Sequence, residues 1–103
     1  PHFRSQRKAA LGELRLALWR YAALHQGQFP TKPSEIEASW EIPAHPGFEF
    51  QYRSGMRAKA AGAVLVFESE LGDEERFALL SNGMIGAMKS SELEEALRST
   101  ESP

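Results

Sequence analysis

Cysteine is absent from this 103-residue chain, which removes disulfides, thiolate metal sites and cysteine nucleophiles and leaves the redox compartment open. No run approaches the roughly 18 consecutive apolar residues that a membrane-spanning helix needs, and no charged-then-apolar signal segment opens the chain. Excess charge of either sign is lacking too. Twelve Lys and Arg against fourteen Asp and Glu leave a formal net charge of -2, too balanced to draw a phosphate backbone over the whole surface, so nucleic acid is not an expected partner. The chain also lacks an initiator Met, starting Pro1-His2-Phe3-Arg4, so a piece of a longer product is expected.

Catalytic and cofactor motifs are missing as well. His2, His25 and His45 stand in no ligand spacing with one another or with a carboxylate. No Gly-x-Ser-x-Gly elbow and no glycine-rich phosphate loop occurs. The expectation is therefore no catalytic residue, no cofactor, no small-molecule substrate and no enzyme. Trp19, Tyr21, Phe29 and Trp40 fall where helix and linker should meet a sheet, and are expected in the core or at its rim.

What is present fits one domain over 1–103. Hydrophobic residues at 42% and charged residues at 25% match an ordinary globular chain, and a chain of this length buries roughly two-thirds of its unfolded surface. Residues 5–26 are helix formers in which Leu11, Leu14, Leu18 and Ala22 recur at spacings of three and four. One long amphipathic helix follows, stopped by Gly27 and Pro30. Gly12 inside it marks either a bend or a close approach.

The linker 27–47 contains Ser34 and Glu37 at capping-box spacing, which predicts a short helical turn. It ends in the proline-rich run Ile42 to Gly47. From Phe48 the period changes to two: Phe48, Phe50 and Tyr52 alternate with Glu49, Gln51 and Arg53. Ala63 to Phe67 is apolar on both faces, as at the centre of a sheet. Arg76 to Leu80 and Met84 to Met88 flank Asn82-Gly83, a two-residue hairpin signal. Ser91 and Glu94 form a second capping box for a closing helix over 91–98, with Leu93, Ala96 and Leu97 inward. The fold class predicted is α+β: a long N-terminal helix packed on a three- to four-stranded antiparallel meander (48–88) with a short C-terminal helix.

Two charged features stand out. The segment Glu68 to Glu75 holds five carboxylates and no basic residue. It reads as a solvated loop tip, with Glu70, Asp73 and Glu74 as calcium candidates because hard oxygen ligands suit that ion. The helix start carries Arg4, Arg7, Lys8, Arg15 and Arg20 against Glu13 alone. A solvated helix face explains this; the sharper alternatives are attraction to anionic lipid heads, or head-to-tail pairing with the acidic loop of another copy. In the pairing case the subunit contacts are Arg4, Arg7, Lys8 and Arg15 on one side and Asp73, Glu74 and Glu75 on the other.

The order of these features resembles a family. Leu11-Gly-Glu-Leu14-Arg-Leu-Ala17-Leu18-Trp-Arg-Tyr21 followed by Gly27-Gln28-Phe29-Pro30, then the strands 63–68 and 76–85 and the closing run 90–97, is similar to the soluble domains of pseudopilins and type IV pilin-like proteins. The hairpin of that family usually closes with Asp-Gly-x-Val, where this chain has Asn82. The resemblance implies an upstream apolar helix cut by a prepilin peptidase, a periplasmic or extracytoplasmic domain tethered to the inner membrane, and stacking with other pilin-like subunits or secretion-system proteins into a short filament. The outward helix face, the acidic loop and the connection from Pro43 to Pro46 would meet neighbours. The rival class is a non-polymerising extracytoplasmic module that binds a protein or peptide at a sheet edge or groove. A small hydrolase subunit or metal-dependent enzyme is a further one, lacking nameable residues.

Overall fold

A computed structural model describes residues 2–55, 62–72 and 74–101, with side chains over 5–55, 62–72 and 74–98. Its elements in chain order are α1 (His2–Leu24), a 3-10 turn (Pro33–Glu35), β1 (Gln51–Tyr52), β2 (Val64–Phe67), β3 (Glu75–Leu80), β4 (Ile85–Lys89) and α2 (Ser90–Glu101). The strands form one antiparallel sheet in the order β1-β2-β3-β4. The predicted α+β meander of helix, sheet and closing helix is what the chain adopts.

The sheet is covered on both faces. Leu11, Leu14, Leu18 and Ala22 of α1 pack with Leu65, Val66, Phe77 and Leu79 on one side. On the other, Leu93 of α2 packs with Val64 and Ala78, with Phe67, Leu80 and Met88 around them. This explains why β2 is apolar at every position: a strand covered by helices on both sides gains from burying all its side chains. β3 keeps a strict alternation, Phe77 and Leu79 toward α1, Ala78 and Leu80 toward α2. The pairing of β2 with β3 is irregular between Val64 and Val66, so the successive residues Leu65 and Val66 both reach the α1 side.

Four local expectations need correction, and that of the α1 stop is extended. The helix cap is not made by Gly27 alone: Gln26 (φ 59°) and Gly27 (φ 84°) are both left-handed, and Gly27 N–H reaches the Ala22 carbonyl at 2.8 Å, a Schellman bond closing α1. Ser34 caps nothing; the turn begins after Lys32, whose side chain forms no cap bond. At α2 the cap lies two residues early, where Glu92 accepts the Lys89 N–H at 3.1 Å because the chain passes from β4 into helix without a loop.

The hairpin loop holds three residues, not two. Leu80 N–H donates to Met84 O (2.8 Å) and Gly83 N–H to Leu80 O (2.9 Å), with Gly83 at φ 93°, a type I turn plus a left-handed residue.

Phe48 is also misplaced by strand periodicity. Segment 40–50 folds back on itself: Phe50 N–H bonds Trp40 O, Ile42 N–H bonds Phe48 O, and Glu41 bridges Glu49. Ile42 therefore takes the buried position, while Phe48 is 44% exposed and its ring stands perpendicular to that of His45, 6.5 Å between centroids. Sheet pairing starts at Gln51, opposite Phe67.

Candidate functional site

Arg7 sits four residues before Leu11, so the helical period puts it on the same stripe as Leu11, Leu14 and Leu18. It is buried at 4% exposure. Its guanidinium lies over the Phe77 ring, 5.4 Å from the centroid, and grips Glu68 through Nε to Oε2 at 2.6 Å and Nη2 to Oε1 at 3.0 Å. Glu68 is fully buried. Its Oε1 also accepts the Phe77 N–H at 2.7 Å, while its backbone carbonyl takes two N–H groups of Arg76 at 3.1 and 2.9 Å. Bidentate pairing with a further backbone donor is the arrangement that lets a carboxylate lose its water.

This corrects two expectations. Glu68 is not part of a solvated loop tip, and Arg7 does not face a neighbouring subunit. Glu68 lies one position past Phe67 on the α1 face, and its burial depends on Arg7 arriving from α1, which local periodicity does not read. The helix start and the beginning of the acidic segment therefore meet within one chain, rather than standing at opposite ends of it.

The other charged candidates separate. Lys8 and Glu74 are exposed. Arg15 is exposed and donates to the Gly83 carbonyl at 2.8 Å, bracing the β3–β4 hairpin. Glu75 is half-buried in β3 opposite Lys89. Glu70 accepts the Gly72 N–H at 3.2 Å and the Ser90 hydroxyl at 3.4 Å, with Arg76 at 3.9 Å. Asp73 and the Arg4 side chain lie outside the described residues. Among the described residues no three His, Asp or Glu side chains gather as a metal site, and the Glu70 oxygens face donors.

A second polar cluster, unseen in the sequence, closes the linker onto α1. Glu35 accepts the Thr31 N–H (3.0 Å), the Thr31 hydroxyl (3.1 Å) and the Tyr21 hydroxyl (3.2 Å). Burial by itself would raise the Glu35 pKa; the bonds from Thr31 and Tyr21 outweigh it and hold the carboxyl below its ordinary range. Tyr21 is pushed up, first by burial and then by Glu35, and stacks on His25 at 3.7 Å. Tyr52 donates to the Pro30 carbonyl and is pushed up to about 12, chiefly by burial. Trp19 packs against Phe29, and Trp40 against Tyr52, which places these aromatics at core and rim as expected.

Two grooves flank the exposed side of α1. One runs toward the β4 edge past Ser5, Lys8, Gly12, Arg15 and Ile85. The other runs between α1 and the linker, past Glu13, Leu16, Ala17, Glu37 and Glu41. Leu16 is 59% exposed. These grooves offer contact surface on either side of the exposed face of α1. No family model matches the chain, and no curated protein or solved structure matches it.

Proposed function

We propose that this chain is the extracytoplasmic domain of a pilin-like subunit, a pseudopilin-type protein of a type II secretion or type IV pilus system, and that its work is assembly rather than chemistry. The observation that supports this most directly is the long helix α1, which commits one stripe to the sheet and turns its remaining circumference, with Leu16 at 59% exposure, to solvent. A helix face left over after one stripe is buried is surface available for contact with a neighbouring subunit. The order of long helix, Gly27-Gln28-Phe29-Pro30, meander and closing helix is that of the family the sequence resembles. On this reading an apolar segment upstream tethers the domain to the inner membrane, and the partners are other pilin-like subunits or secretion-system proteins.

Two measurements test it. The reading frame upstream of Pro1 should encode a Gly followed by about 20 apolar residues with an early Glu; a cleavable signal peptide ending just before residue 1 would instead favour a free binding module. In cells producing the whole protein, an amine-reactive cross-linker, indifferent to which surface is used, should give a ladder of multimers in the membrane fraction. Monomer alone under the same treatment sinks the reading.

A further inference from the structure

The two grooves beside α1 carry opposite net charge and lie toward opposite edges of the sheet. At about 100° per residue, Ser5, Lys8, Gly12 and Arg15 fall on one side of the buried stripe, and Ala10, Glu13, Ala17 and Arg20 on the other. The first set shares its groove with Ile85 of the edge strand β4. The second shares its groove with Glu37 and Glu41, in the linker whose Glu41 bridges Glu49 just ahead of β1, the other edge strand. One groove is thus rimmed by Lys8 and Arg15. The other is rimmed by Glu13, Glu37 and Glu41, with Arg20 offsetting one of them.

Among the described residues, Lys8, Glu13, Glu37 and Glu41 enter no ion pair within the chain. Each groove also has a small or apolar lining: Ala9, Gly12 and Ile85 on the basic side, Ala10, Leu16 and Ala17 on the acidic side. A Cβ at Gly12 would meet nothing within 4 Å, so the backbone there is open to close approach.

We infer that the occupant of each groove is the opposite flank of a second copy of this chain, the Lys8 and Arg15 flank of one copy against the Glu13, Glu37 and Glu41 flank of the next. The pairing joins unlike surfaces, so it does not close after two copies and each added copy presents a fresh groove, the geometry of a growing array. Opposite charge sets the register and disfavours like-flank pairing. The inference rests on the assembly reading above and names the surface it uses.

Light scattering and sedimentation of the chain at low salt test it. The wild type should associate beyond dimers as concentration rises, and should dissociate as salt shortens the screening length. Lys8→Glu, the pair Lys8→Glu with Arg15→Glu, and the pair Glu37→Lys with Glu41→Lys should each lower the association constant about tenfold or more. All change exposed side chains, and far-UV circular dichroism confirms the fold. Lys8→Glu alone serves if loss of the Arg15 bond to Gly83 disturbs the hairpin. Mixing the two reversed pairs should restore association, because each then meets a complementary flank. Reversed variants that associate like the wild type, a mixture that recovers nothing, or a wild type that stays monomeric overturns the surface. If reversal is without effect while the cross-linked ladder persists in cells, the surface is wrong and the filament reading survives. If the flanks associate as described but no ladder forms in cells, the filament reading falls and the surface stands.

Discussion

Removing one partner of the Arg7–Glu68 pair leaves the other charge buried without its counter-charge. Glu68 is fully buried and Arg7 nearly so, so Glu68→Ala or Arg7→Ala should destabilise the fold by about 3–5 kcal/mol, read from urea unfolding. Replacing both with apolar residues of similar size, Arg7→Met with Glu68→Leu, should recover most of that loss. A double variant no better than either single would mean that the bonds to the Phe77 N–H and Arg76 matter more than the pair. The two tyrosines make a separate prediction at this scale. Both are raised above the usual 10.0, Tyr52 to about 12. The folded state favours the neutral phenol, so its contribution is whole below pH 10 and is lost as pH rises through the folded value. Tyrosinate absorbance should therefore develop later in the folded chain than in urea; coincident titrations would contradict the Tyr52 and Tyr21 contacts. Glu35 runs the other way. Its lowered pKa contributes above the ordinary carboxylate range and is lost as pH falls through the folded value, so Thr31→Val should blunt the acid-side loss of stability.

The elements respond to backbone geometry. Gly83 holds φ 93° in the three-residue hairpin loop, a conformation costing about 1–2 kcal/mol for a residue with a Cβ, so Gly83→Ala should lower stability by that order in thermal unfolding. Gly12 is the opposite case. It lies inside α1 with open space around its missing Cβ, and Gly12→Ala should raise stability by about 0.5–1 kcal/mol. No change at Gly12 would mean that a neighbour or a local distortion already offsets the gain. The two sites differ because in one case the chain needs the left-handed region and in the other it only tolerates the flexibility. Among the described residues nothing approaches position 12 closely, so the close approach the sequence left open for it would come from outside the chain.

The sheet separates two cores that, among the described residues, share no buried side chain. Leu14→Ala, under α1, and Leu93→Ala, under α2, should each cost about 2–5 kcal/mol. Their combination should be additive within about 0.5 kcal/mol, measured by denaturant unfolding, and a large coupling would show that the cores communicate through the strands. Much of this architecture was readable in advance: the recurrence of Leu11, Leu14, Leu18 and Ala22 specified α1 and its buried stripe, and the change of period with Asn82-Gly83 specified the meander. Those features depend on neighbours in the chain, and local rules read them. Whether Phe48 or Ile42 would be buried, how Glu35 would be shared between Thr31 and Tyr21, and that Arg7 would leave the basic surface to meet Glu68 depend on segments far apart in sequence. Periodicity says which side of an element a residue occupies, but the desolvation of a charge is settled only when a partner at the right distance arrives from another element, and that is a property of the folded chain.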